Sequence, residues 1–494
     1  MYFSLGSSAL LLLTLTLESW ALSFPRGSDE LVDCLKSSLS PSGSVQTPGD
    51  PLFVNDTTRV SSYDAPSFKV VSQVTNEDDV RASIKCATSA NIPFLFTGPK
   101  HGFYTGFEKL QNGLEIYTAA LDQITVDADA NTITVAGAGR FQDVVNSLYA
   151  VGKNIRAGIG RLQGLYGLLI DSILSLYIML PNTTVVEVTK DKNPDLFWGI
   201  RGAGFNFGYV LNATYRVYDE VPNGQNLNAD FEYPYTAANE FYQALKDEAP
   251  KMPAPLCIAT SLQWSPTYNK IDGVMPQTTL FVNAVYAGPE SEGREAVKFL
   301  EGISPVLRKN YTEVPWNQLT QNAFFLKGDE AILNCAATYG ERSVFGAVIN
   351  QVDVDASVQM TEQFNYLVTK YPQMRGSDNS MYFCAKQAVE AVPEDSAAYA
   401  WRGALGHQTW GYLFEGNSST SDALIEYLPE KIRSTIADTA GTDGLEVYIG
   451  FSNGDEPIES VFGKEKLPRL AALKKKYDPD GLFNAYHPLP TSYP

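Results

Sequence analysis

The chain has 494 residues, enough for about two or three lobes rather than one ordinary core. Its hydrophobic content of 44% and charged content of 19% are those of a globular protein and exclude a disordered or fibrous chain. The formal net charge of −19 disfavours nucleic acid and anionic membrane surfaces as partners. Residues 1–22 read as a signal peptide, with an apolar core from Ala9 to Leu17 that is too short to span a bilayer and Ala21 as the cleavage position. A secreted chain is therefore expected, although this segment lacks Lys and Arg. Sequons at Asn55, Asn182, Asn212, Asn310 and Asn417 are then candidate glycosylation sites. Cys34, Cys86, Cys257, Cys335 and Cys384 suggest one or two disulfides and an odd thiol.

Asp29–Leu39 reads as a short helix, and a Pro/Gly/Ser loop runs from Pro41 to Pro51. A βαβ-like pattern begins near Phe68. Thr75 and Asp78 stand at capping-box spacing, and Val80, Ile84 and Ala87 recur at helical period. Asn91-Ile92-Pro93 closes that helix, and Phe94-Leu95-Phe96 opens a buried strand running into the turn Thr97-Gly98-Pro99-Lys100-His101-Gly102. Short strands follow at Leu114–Tyr117, Ile124–Asp127 and Thr132–Ala136, then a helix carrying Phe141, Val144, Val145 and Leu148. Segments 175–180 and 183–189 predict a hairpin, Asn193-Pro194-Asp195 starts a helix, and Tyr209–Tyr218 alternates as a long strand. From Glu220 the texture becomes a second α+β lobe, with strands at Ile258–Trp264 and Thr278–Tyr286 and a helix at Ser291–Leu300. A strand-like Leu445–Ile449 and a basic helix, Lys464–Tyr477, close the chain.

Three glycine runs begin at Gly137, Gly158 and Gly202. A dinucleotide fingerprint needs a strand before it, a helix after it and an acid about 20 residues on. The Gly202 run has helix and strand in the wrong order, the Gly137 run lacks a third glycine, and no strand precedes Gly158. Gly450-Phe-Ser452-Asn-Gly454 matches the nucleophile elbow, yet Asp455-Glu456-Pro457 is a poor start to the helix that should follow. His101, His407 and His487 have no metal-ligand spacing, so no metal site is expected. His101 stands out by its setting. A glycine-flanked turn after a buried strand lets a ligand approach closely and offers N–H groups to a diphosphate, and its imidazole is placed to reach a flavin ring.

Several segments, in order, resemble the berberine-bridge-enzyme-like branch of the vanillyl-alcohol-oxidase type of FAD-linked oxidases. They are Thr97-Gly-Pro-Lys-His101-Gly, Leu110-Gln-Asn-Gly-Leu-Glu-Ile116, Val135-Ala-Gly-Ala-Gly139, Leu165-Tyr-Gly-Leu-Leu-Ile-Asp171, Asn193-Pro-Asp-Leu-Phe-Trp198 with Arg201–Gly208, and Lys474–Phe483. The resemblance is strong over 60–220 and 440–490 and loose between. It implies an α+β fold: a two-subdomain FAD-binding domain at 60–220 behind a helix and loop at 23–59, a substrate domain at 221–440, and a C-terminal segment at 441–494 that returns to the first domain. It implies a disulfide between Cys34 and Cys86. It further implies FAD linked through His101 and contacted by Gly98, Pro99, Lys100, Gly102, Gly158, Gly160, Asp171, Gly204 and Val210. Tyr448 matches the tyrosine that serves as base in some members.

Two departures fall on the cofactor site. The family's longer insert near 156–160, with its second flavin-linking cysteine, is missing, and no cysteine lies between Cys86 and Cys257. Pro99 and Lys100 replace glycines. Pro99 removes an N–H donor, and Lys100 is expected to compensate with a positive charge near the phosphates. At about 1.5–3 kcal/mol per charge-assisted bond, two or three losses weaken non-covalent binding by about 10³-fold. The expected function is hydride removal from a small metabolite (alcohol, amine or activated C–H) to flavin, with oxygen as the final acceptor, in fungal secondary-metabolite biosynthesis by a secreted monomer. A carbohydrate oxidase and a flavin-poor, inert relative are the alternatives.

Overall fold

The computed structural model describes residues 26–98, 100, 102–156, 158–220, 224–265, 277–326, 341–414 and 429–494. The expected signal peptide, Pro99, His101, Cys335 and Asn417 lie outside the described residues. The first sheet has the strand order Ser44–Gln46, Phe68–Gln73, Gly113–Tyr117, Phe94–Thr97, and its last three strands are parallel. The βαβ pattern read near Phe68 is therefore real, with Gly113–Tyr117 inserted between the two strands that helix Glu77–Ser89 connects. Val80, Ile84 and Ala87 on that helix are fully buried. Its cap sits one residue later than the sequence spacing suggests. Asn76 accepts from the Asp79 amide at 3.0 Å, while the buried Asp79 carboxylate accepts from the amides of Thr75 and Ser40. Asp78 faces solvent and takes no part in the cap, because the chain arriving from Ser40 supplies donors only on the inner side. The Cys34–Cys86 disulfide ties helix Arg26–Ser38 to this helix.

The second sheet is antiparallel, in the order Ile124–Asp127, Thr132–Ala136, Tyr209–Arg216, Ile173–Met179, Val185–Thr189. The long strand ends at Arg216 rather than Tyr218. Val217 turns inward to 2% exposure, and Tyr218–Asp219 pair instead with Lys153–Asn154. The third sheet has seven strands, ordered Arg308–Pro315, Gln225–Pro234, Gln277–Tyr286, Leu256–Ser265, Asp378–Cys384, Gly406–Phe414, Glu341–Ile349. It is antiparallel throughout, and the Cys257–Cys384 disulfide joins two neighbouring strands at facing positions. The expected helix at 291–300 is two pieces, Glu290–Ala296 and Lys298–Glu301, because Val297 leaves helical geometry to become fully buried. Leu445–Ile449 is not a strand. It meets its neighbours through isolated bonds, Val348 N–H to Glu446 O and Val447 N–H to Ser460 O, before turning into the 3₁₀ segment Ile449–Phe451.

Helix Leu467–Tyr477 brings the chain end back to the second sheet and packs against helix Pro194–Ala203, with Arg469 over the Trp198 ring. Its basic face is not all solvated. The Lys474 ammonium is buried and donates to Asp478 Oδ2 at 2.7 Å, Phe483 O at 3.0 Å and Asn206 O at 3.1 Å. All three donors are used, so a buried charge is tolerated. Lys474→Met leaves Asp478 buried without its cation and is expected to destabilise the fold by about 3–5 kcal/mol, with Lys474→Met/Asp478→Leu recovering part of the loss. Chemical-denaturant unfolding of the two variants measures this; a single-variant loss below about 1 kcal/mol would show that the clamp is dispensable.

Candidate active site

Strand Phe94–Thr97, the central strands of the second sheet, the loop before Gly406–Phe414 and the closing segment bound one cleft of about 620 Å³. Thr97, Gly98, Gly204 and Val210 line its floor, and Gly158, Ile159, Tyr399 and Tyr448 line its other end. No charged side chain is among the described lining residues. Two floor glycines leave ligand space. A Cβ on Gly98 would meet nothing nearer than 4.0 Å, and one on Gly204 only Ile200 at 3.8 Å. Gly202 has a different reason. Its φ of +152° belongs to glycine, and an added Cβ would lie 2.3 Å from the Tyr399 amide nitrogen. A long cradle with small residues along it and no anion facing in suits a dinucleotide cofactor.

The structure gathers five of the sequence-derived site residues, Gly98, Gly158, Gly204, Val210 and Tyr448, around this cleft. The other described ones lie elsewhere. Lys100 does not reach toward the cleft as the sequence suggested. Its ammonium turns inward, 3.5 Å from Glu115 Oε1 and 4.5 Å over the Tyr117 ring, because the buried Glu115 carboxylate needs a cation. Gly102 is pinned through its carbonyl by Arg59 at 3.2 Å. Gly160 donates to Gln163 Oε1 and borders a separate small void with His407. Asp171 forms a two-pronged pair with Arg402 at 2.6 and 2.9 Å, both residues being almost fully buried. Of the described sequons, Asn55, Asn182 and Asn310 are exposed, whereas Asn212 is half-buried in a strand paired on both sides.

Tyr448 sits where the closing segment leaves the third sheet. Its ring meets Tyr399 at 6.0 Å, His407 at 5.8 Å and Phe451 at 5.2 Å, each edge to face. Burial pushes its phenol above the usual range. Gly158 permits this approach, since a Cβ there would stand 3.1 Å from the Tyr448 hydroxyl. His407 is buried with Nδ1 unpartnered, and desolvation lowers it to about 4, so it is uncharged at neutral pH. Sequence reasoning missed Tyr399 in the cleft wall, His407 against the Tyr448 ring and Arg402 on Asp171, because each is an ordinary residue in its local pattern until the fold supplies its neighbour.

Ser452 and His487 do come together, at 2.5 Å between Oγ and Nε2. They do not form a nucleophile. The Ser452 hydroxyl donates to Ile449 O at 2.7 Å, so Nε2 must donate to Ser452 rather than accept from it, and both residues are buried. The G-x-S-x-G match is a structural turn.

Comparison with known proteins agrees with this geometry. Residues 68–156 match the FAD binding domain model, and residues 447–490 match the berberine and berberine-like model. The chain belongs to the berberine-bridge-type FAD-linked oxidoreductases. The FAD-linked oxidoreductase fogF of Aspergillus ruber is 34% identical over 466 residues, covering 90% of this chain and 90% of that one. Among solved structures, Physcomitrella patens BBE-like 1 superposes with a TM-score of 0.81 at 18% identity, over 94% of this chain and 100% of that chain. Glucooligosaccharide oxidase from Acremonium strictum, described with a 6-S-cysteinyl, 8α-N1-histidyl FAD, gives 0.78 at 17% identity, over 94% and 100%. The fold is that of the vanillyl-alcohol-oxidase type, and the protein is an FAD-linked oxidoreductase. Among the described residues, no helix is long and apolar enough to cross a membrane.

Because a Cβ at Gly98 would meet nothing nearer than 4.0 Å and the residue lines the cleft, Gly98→Leu is expected to leave the melting temperature of the apoprotein unchanged while lowering FAD occupancy at least about ten-fold. Absorbance of the purified variant after incubation with FAD reads the outcome; full occupancy would show that the cofactor lies elsewhere.

Proposed function

We infer that this protein oxidises a small metabolite at a carbon bearing a hydroxyl, an amine or an activated C–H, within a fungal secondary-metabolite pathway. The carrying observation is the single cleft that joins the glycine-lined floor to Tyr448. FAD, when bound, would supply the hydride acceptor, with dioxygen as the final electron acceptor. The backbone at Thr97–Gly98 and at Gly204 would hold the dinucleotide, since the two glycines leave space beside it. Tyr448 accepts the proton of the reacting hydroxyl or amine as the hydride departs. The aromatic rings around it exclude water from that end of the cleft.

Covalent attachment through His101 is part of the same reading. With no cation lining the described cleft and Lys100 paired to Glu115, diphosphate binding rests on backbone N–H groups, and a histidyl bond would retain the cofactor that these hold more weakly. The absence of a cysteine between Cys86 and Cys257 limits the linkage to histidine alone. The apolar lining favours a small organic substrate over an oligosaccharide, which asks for several side-chain hydrogen-bonding groups. A secreted, glycosylated monomer remains the proposed form, and the two disulfides agree with an oxidising compartment.

The purified protein is expected to be yellow, and the colour is expected to stay with the pellet after acid precipitation. His101→Ala should release the flavin into the acid supernatant; acid-stable flavin in that variant would remove the role given to His101. Tyr448→Phe should keep the bound flavin but lose about 10²–10⁴-fold in turnover of whichever alcohol or amine a peroxide-release screen identifies. Unchanged turnover would assign the proton transfer to another group.

A further inference from the structure

Tyr399 carries a hydroxyl that the fold does not use. The residue is 8% exposed, lines the cleft beside Tyr448, and its oxygen has no hydrogen-bond partner among the described residues. A buried phenol without a partner is unfavourable, since phenylalanine would fill the same space without stranding a donor. The backbone around it is fixed firmly. Its N–H donates to Arg201 O at 3.0 Å, its carbonyl accepts from Lys466 at 2.7 Å, and Gly202 packs directly on its amide. Three residues on, Arg402 is anchored by Asp171. The Tyr399 ring is thereby held edge to face against the Tyr448 ring, 6.0 Å between centroids, with its hydroxyl free of any other described partner.

Tyr448 has a difficulty as a base. It must carry negative charge, or share a proton, in a place where burial favours the neutral phenol. The titratable and charged groups near the pair offer little relief. His407 on the third sheet is neutral and Tyr486 on the closing segment is a phenol that donates to Ile449 O. The Arg402 guanidinium is paired with Asp171, and Glu394 and Glu446 add negative rather than positive charge. The free O–H of Tyr399 is the donor left over.

We propose that Tyr399 is a second functional phenol of the site, donating a hydrogen bond to the Tyr448 oxygen as it becomes anionic and so making that oxygen a competent proton acceptor. This rests on the reading of Tyr448 as base. It makes Tyr399 a positioning and electrostatic partner, distinct from the residues that hold the cofactor.

The test is Tyr399→Phe in the holoenzyme labelled with ζ-¹³C tyrosine. The resonance lost in Tyr448→Phe identifies Tyr448, and its titration is followed by NMR in both proteins. The Tyr448 midpoint is expected to lie about one pH unit or more higher in Tyr399→Phe than in the wild type. The melting temperature of Tyr399→Phe is expected to be equal or higher, because only an unpaired oxygen is removed. An unchanged midpoint, the absence of any Tyr448 titration in the wild type, or a lower melting temperature would each overturn the proposal, the last because it would give the hydroxyl a structural duty. Turnover by Tyr448→Phe judges the base assignment separately, so the two ideas fail independently.

Discussion

The Asp171–Arg402 pair is the contact on which the geometry of the cleft depends. Asp171 belongs to the segment leading into the second sheet, and Arg402 to the loop entering the third. Two charge-assisted bonds between nearly inaccessible partners fix distance and orientation together, which a single apolar contact cannot do. Both charges are out of water, so neither residue has a comparable alternative partner, and separating them costs about 3–5 kcal/mol. Tyr399 lies three residues from Arg402, and Tyr448 packs on Tyr399. The Tyr399 and Tyr448 side of the cleft is thus registered against the second sheet by one ion pair.

The second constraint comes from the chain end. Lys474 joins Asn206, Asp478 and Phe483, reinforcing the bonds from the Phe483 amide to Asp478 and between Asn206 and His487 and Leu489. Phe483 then stacks on Phe96, which stacks in turn on Tyr209. The return of the last residues is therefore part of the cleft wall rather than a tail laid over it. The same segment supplies Tyr448 and Tyr486, so Tyr448, the proposed base, arrives on a piece of chain that is itself anchored.

Charge placement gives the cleft its character. A protein with net charge −19 presents no described cation to the space where a diphosphate would lie. Lys100 is drawn inward by Glu115, whose burial at 1% exposure makes a nearby ammonium worth more there than at a solvated phosphate. Backbone amides and apolar walls are what the described lining offers a cofactor.

Much of the architecture was legible in the chain itself. Helical period at Val80, Ile84 and Ala87, strand alternation at 209–216, the turn residues of the hairpin and the ordered motifs from Thr97 to Phe483 report local periodicity and local backbone needs, which short stretches encode directly. Gly98, Gly158, Gly204 and Val210 came from the resemblance, and the fold places all four around one cleft. The tertiary structure alone decided which partners those residues meet. Nothing near Lys100 announces Glu115, nothing near Asp171 announces Arg402, and Tyr399 looks like any loop tyrosine until the third sheet delivers it to Tyr448. The direction of a charged or hydrogen-bonding side chain is set by what lies across the fold, often more than two hundred residues away, where local patterning carries no information.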